Sequence, residues 1–236
     1  MRRFLFGLLC VLVITSCEHK DANKHSRGKN PTEQDTTSVV NNPSTETAKP
    51  KVNVYIENSG SMDGFVNGIT DFKDVIGNLL VNLKFFYDED NIQIYFIRNE
   101  RAQSGQEEEL VIKKACESDI AEFAQAIDLS WRNDRLNRGN NTNLNNIFKT
   151  ILDSTQSNTI SILISDCIYS IGSGSTVNLL NQEKNTTYDA FLTKFKRSKG
   201  DGQNEHYATM IVKKLSQFNG RYFPYTGDRN NFYFKG

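Results

Sequence analysis

The chain has 236 residues, and its 28 basic and 28 acidic side chains leave a formal net charge of zero. That balance offers no basic field to attract nucleic acid, and no apolar run reaches the ~20 residues that a membrane-spanning helix needs. The four cysteines, Cys10, Cys17, Cys116 and Cys167, lack the close Cys/His spacing of a zinc site.

Residues 1–16 predict an export signal. Arg2 and Arg3 precede an apolar stretch from Phe4 to Ile14, too short to cross a bilayer, and small Thr15 and Ser16 follow. The run Ile14-Thr15-Ser16-Cys17 resembles the bacterial lipobox, with Ile14 in place of the usual leucine. The resemblance implies cleavage before Cys17, lipidation of Cys17 and a mature protein held on a membrane outside the cytoplasm, periplasmic or at the surface. Each lipid methylene buried contributes roughly 0.8 kcal/mol to such an attachment. An ordinary secretory signal with a chance cysteine is the alternative.

From Glu18 to Pro50 only Ala22, Val39, Val40 and Ala48 are apolar. Such a segment buries too little surface to offset its chain entropy, so residues 17–50 are expected to form a disordered tether, its ends roughly 30 Å apart. His19 and His25 lie there, where nothing preorganises them as metal ligands. Residues 51–236 then make one domain with a sizeable core.

Within the domain, Val52 to Ile56 predicts a buried strand that ends at the polar run Glu57-Asn58-Ser59-Gly60-Ser61. Phe72, Val75, Ile76, Leu79, Leu80 and Leu83 recur at helical spacing, with Thr70 or Asp71 as N-cap. Ile92 to Ile97 predicts a second strand, residues 99–109 a loop, and Leu110 to Ile112 a short edge strand. A helix from Ser118 is marked by Ile120, Phe123 and Ile127, and residues 131–141 are expected to be irregular. Leu144, Ile147, Phe148, Ile151 and Leu152 mark a helix after Thr142, and Thr159 to Ser165 a strongly apolar strand ending at Asp166. Past a loop with Gly172 and Gly174 come a helix near Tyr188 to Phe195, a strand from Ala208 to Val212, and an Asn219-Gly220 turn before Arg221 to Tyr225.

Strands alternate with helices, and the strands at 52–57 and 159–166 are continuous apolar runs. The expected fold is therefore α/β: a doubly wound, mostly parallel central sheet with helices on both faces. In such sheets ligands bind beyond the carboxyl ends of the strands. There the sequence supplies Glu57, Ser59 and Ser61 from one strand end, Asp166 from another, and Thr142 from the loop ahead of a helix. All are oxygen donors, the kind that magnesium and other hard cations take.

The run Val54-Tyr55-Ile56-Glu57-Asn58-Ser59-Gly60-Ser61-Met62 resembles the first motif, Asp-x-Ser-x-Ser, of von Willebrand factor A-type domains. Thr142 in Asn141-Thr142-Asn143-Leu144 resembles the second motif, and Asp166 in Leu163-Ile164-Ser165-Asp166 the third. The resemblance covers roughly residues 51 to 225. It implies a metal-ion-dependent adhesion site for Mg2+, or for Mn2+ or Ca2+. Ser59, Ser61 and Thr142 would touch the metal, and Glu57 and Asp166 would act directly or through water. A metal held mostly by hydroxyls keeps much of its charge and seeks an outside anion, typically a carboxylate on a protein partner.

Two departures stand out. Glu57 replaces the motif's aspartate and is one methylene longer, and the family's closing helix has no counterpart after Gly220. Without a metal, Ser59 and Ser61 would simply make a tight turn, and Thr142 and Asp166 would cap backbone amides.

The expected function is thus a lipid-anchored binding or adhesion protein and not an enzyme. A structural envelope scaffold with an inactive metal site is the alternative, and a serine-type hydrolase the third class. The hydrolase lacks support in sequence: the Ser59 region is not a Gly-x-Ser-x-Gly elbow, Gly172-Ser173-Gly174-Ser175 lacks a phosphate-loop lysine, and His206 is the domain's single histidine. Whether Cys116 and Cys167 pair depends on a distance that sequence does not give.

Overall fold

A computed structural model describes residues 7–18, 49–101, 108–117, 119–134, 143–168, 177–197, 205–222 and 232–235. Most of the expected tether, Thr142 and the loop with Gly172 and Gly174 lie outside these residues.

The fold is α/β and built on a six-stranded mixed sheet. In chain order the strands are β1 (Gly7–Glu18), β2 (Lys51–Glu57), β3 (Ile92–Arg101), β4 (Glu108–Lys114), β5 (Thr159–Ser165) and β6 (Glu205–Ser216); β7 (Asn219–Tyr222) and β8 (Phe232–Lys235) form a separate hairpin sheet. The helices are α1 (Asp63–Val66), α2 (Asp71–Phe86), α3 (Ile120–Gln125), α4 (Ile127–Asn133), α5 (Leu144–Ser154) and α6 (Val177–Arg197). The sheet order is β4-β3-β2-β5-β1-β6. Its centre, β3-β2-β5, is parallel, while β4 and β1 run antiparallel to their neighbours.

The alternation of strand side chains sends residues to two cores. Val52, Val54 and Ile56 of β2, with Ile162 and Ile164 of β5, pack on Phe65 of α1, on Phe72, Ile76 and Leu80 of α2, and on Phe123 and Trp131 of α3 and α4. Tyr55, Ile97 and Leu163 point the other way and meet Leu144, Ile147, Ile151 and Leu152 of α5. Each such side chain, fully buried, contributes about 1.5–3 kcal/mol.

Helix ends are satisfied from several sources. Thr70 occupies the N-cap position of α2, yet its hydroxyl donates to the Phe65 carbonyl instead of capping. The first amides of α2 go to β6 and the residue after it: Asp71 N–H donates to Gln217 Oε1 at 2.8 Å and Phe72 N–H to Ser216 Oγ at 2.9 Å. Asp119 caps α3 by accepting from the amides of Ala121 and Glu122. Asn143, and not Thr142, is the N-cap of α5, accepting from Asn146 N–H at 3.2 Å.

Several elements run longer than their sequence pattern. β3 continues to Arg101 and β4 starts at Glu108, which narrows the expected 99–109 loop. α4 carries helix through Trp131 to Asn133, where irregular chain was expected, because Trp131 is buried against Phe72 and Phe96 and its Nε1–H donates to Asp63 Oδ1. α6 spans 21 residues, and β6 extends past 208–212 on both sides. Cys116 and Cys167 are free thiols.

The apolar stretch assigned to the export signal also has a structural partner. Gly7–Glu18 forms β1, pairing with β5 from Cys10↔Ser165 to Thr15↔Ile160 and with β6 along its whole length, and Ile14 is fully buried.

Candidate metal centre

Glu57 ends β2 and Asp166 follows the last residue of β5, so the parallel pairing brings both to the carboxyl edge of the sheet. The register sets Ile56 opposite Ile164, which places Glu57 beside Ser165. Ser165 Oγ donates to Glu57 Oε2 and accepts from Cys167 N–H at 2.8 Å. Glu57 is fully buried.

Beyond Glu57 the ladder makes one more step, Asn58 N–H to the Ile97 carbonyl, and then the chain turns. Ser59 is the N-cap residue of a 3-10 turn, Gly60–Met62, closed by Met62 N–H to the Ser59 carbonyl. The turn stacks the two motif serines: Ser59 Oγ and Ser61 Oγ lie 2.9 Å apart. The Ser59 side chain makes no capping hydrogen bond to the 3-10 turn that follows it.

Asp166 stands over this turn and is 3% exposed. Its Oδ1 accepts from Ile168 N–H at 2.9 Å, and the Ser61 hydroxyl also bonds its carboxylate. Its Oδ2 is buried with no hydrogen-bond partner among the described residues. Burial pushes the carboxyl pKa up from the usual carboxylate range, against the lowering effect of the Ile168 amide and the Ser61 hydroxyl. Just after it, Cys167 holds the left-handed backbone conformation at φ 52°, which a non-glycine residue rarely adopts. Such outliers concentrate at functional loops.

Of the five expected metal ligands, the structure brings Ser59, Ser61 and Asp166 together and sets Glu57 at the adjoining strand end, bonded to Ser165; Thr142 lies outside the described residues. The helix that starts next to it, α5, ends four residues before β5 and is roughly 16 Å long.

A polar network borders the turn and is not legible in the motif. Asn58, fully buried, donates through Nδ2 to Asp134 Oδ2 at 3.0 Å. Asp134 also receives Arg98, which is 3% exposed and bonds Glu100 as well, and Lys113 at 2.6 Å. Arg98 sits one residue beyond Ile97, the partner of Glu57 in β3. The signal in sequence is a charged residue directly after the apolar run of a central strand, but its acidic partner is 36 residues away.

The donor set of the site is two carboxylates and two hydroxyls. Among the described residues no group of three or more His, Cys, Asp and Glu side chains gathers. The donors are carboxylate and hydroxyl oxygens, the kind that hard cations take, and not the thiolates and imidazoles of zinc sites. The buried, unpartnered Asp166 Oδ2 is the observation that fits a cation, since burying a carboxylate oxygen without a partner is costly. Comparison with family models, with curated proteins and with solved structures gives no match.

Proposed function

We propose that the protein is a lipid-anchored, extracytoplasmic binding protein whose domain is a doubly wound, von Willebrand factor A-like fold. Its carboxyl-edge site takes a divalent cation, Mg2+ or else Mn2+ or Ca2+. Ser59, Ser61 and Thr142 would hold the cation, with Glu57 and Asp166 acting directly or through water. When bound, it supplies an incompletely neutralised positive charge that recognises a carboxylate on a protein partner. The chain's own part is to preorganise: the turn sets the serines side by side, and the strand ends fix the carboxylates. Nothing in this reading calls for bond-breaking chemistry, so the protein is a binder and not an enzyme. The supporting observation is the convergence of Ser59, Ser61 and Asp166, with one carboxylate oxygen buried and unsatisfied.

One observation favours the second reading, an envelope scaffold whose site has lost its metal. Glu57, which replaces the motif's aspartate, already accepts a hydrogen bond from Ser165. A longer side chain committed to a neighbouring strand is less available to the serine turn.

A cation that binds only the folded state stabilises it by linkage, by about 2.7 kcal/mol at 100 times the dissociation constant. Mg2+ or Mn2+ should therefore raise the melting temperature of the wild type. Asp166→Ala should abolish that rise while still melting cooperatively. A rise that persists unchanged in Asp166→Ala would place the cation elsewhere.

A further inference from the structure

Strand β6 carries apolar side chains out in solvent: Met210 is 56% exposed, Ile211 71%, Val212 42% and Leu215 50%. The register aligns Met210 with Val13 and Ile162, and Val212 with Val11 and Ile164, so both lie on the sheet face that carries α1 to α4. Ile211 aligns with Leu12 and Leu163 and lies on the opposite face, that of α5. A strand apolar on both faces suits the covered interior of a parallel sheet and not its edge. β6 also carries the exposed Lys213 and Lys214, as the other edge strand, β4, carries Lys113 and Lys114, so the interior-like part of β6 is Met210–Val212.

β6 is antiparallel to β1, and β1 is antiparallel to β5, so β6 runs parallel to β5 with α6 as the crossover between them. Only β1 separates the two strands of this βαβ unit, and it holds them two strand spacings apart, roughly 9–10 Å.

We infer that cleavage before Cys17 empties the slot of β1, and that β6 then moves one strand spacing inward and pairs with β5 in parallel. The order becomes β4-β3-β2-β5-β6. This inference rests on reading residues 1–16 as an export signal. The movement has a fixed end, because Ser216 and Gln217 hold the first amides of α2 and Phe218 packs on Phe65. Met210 and Val212 take over the cover that Val13 gives the α2 face, Ile211 comes to lie beside Leu163, and Thr209, the register partner of the fully buried Ile14, takes its place on the α5 face.

The test uses the full-length gene product, expressed in a bacterial host and recovered from the envelope. Its N-terminus is read by mass. Hydrogen exchange is followed in peptides covering 159–165 and 205–216, and the melting of Ile211→Lys is compared with wild type. Closure predicts an N-terminus at Cys17 and slow exchange in both peptides. It also predicts a melting temperature lower by roughly 5–10 °C for Ile211→Lys, because a charge is forced into a newly covered position. If Ile211→Lys gives no folded protein, Ile211→Thr is read in the same way. Fast exchange in both peptides, or an unchanged melting temperature, overturns the closure while leaving processing intact. Slow exchange in 159–165 accompanied by protection around Val39 and Val40 also overturns it, since the tether would then fill the slot. A mass that still includes residues 1–16 removes the export-signal reading, and the closure with it.

Discussion

Asp166 shows how one carboxylate links stability to function. Burial raises its pKa, so in the metal-free protein the ionised form is disfavoured relative to the unfolded chain. A group whose folded pKa is raised contributes its stability fully below the unfolded value, near the usual carboxylate range, and loses it as pH rises through the folded value. Metal-free wild type should therefore gain stability from this group as pH falls toward the acid range. Asp166→Asn keeps the Ile168 amide contact and removes the charge. In chelator it should melt higher than wild type at neutral pH, with the gap closing on acidification. Thermal melts across pH in chelator would show this, and a lower melting temperature for Asp166→Asn at neutral pH would contradict it. The same buried charge that weakens the metal-free protein is what a bound cation would neutralise.

Among the elements, the contact between α1 and β7 is set by glycines. A methyl at Gly220 would lie 2.6 Å from Gly64 Cα, which is backbone and has no room to yield. Gly220→Ala should cost about 1–3 kcal/mol by overpacking. Gly77, inside α2, has open space around it, and Gly77→Ala should stabilise by up to ~1 kcal/mol through helix propensity. Denaturant melts of the two variants should move in opposite directions.

These elements also show what sequence made legible. β2, β3, β5, α2 and α5 follow from apolar runs and 3.6-residue spacing, because in each the buried face is written within one short stretch of chain. The apolar run with Val11, Val13 and Ile14 in β1 satisfies a signal's apolar region and a buried strand equally, so its pattern does not separate the two. The convergence of Ser59 and Ser61 with Asp166 followed from strand ends alone. The Glu57–Ser165 bond and the Asn58–Asp134–Arg98 network did not, because they depend on strand register and on pairings far apart in the chain.

At the scale of the whole molecule, the proposed membrane attachment at Cys17 is followed by a polar segment from 18 to 50 and by a domain whose candidate site lies at the carboxyl edge of its central strands. No helix among the described residues is long and apolar enough to cross a membrane. Attachment through Cys17 then predicts that Cys17→Ser either releases the protein from the membrane fraction or blocks its processing. Fractionation of envelope extracts reads this directly, and unchanged partitioning of a normally processed mutant would remove the lipid anchor from the account.

The carboxyl-edge site is proposed to work through a cation, and Glu57, bonded to Ser165, is the residue of the set that departs from the motif. The most direct measurement is the Mg2+- or Mn2+-dependent change in melting temperature of wild type and Glu57→Asp side by side. If Glu57 stands in for the motif's aspartate, wild type shows a metal-dependent rise and Glu57→Asp keeps or enlarges it. If wild type shows none while Glu57→Asp gains one, the natural site does not hold metal, and the scaffold reading replaces the metal-dependent binder.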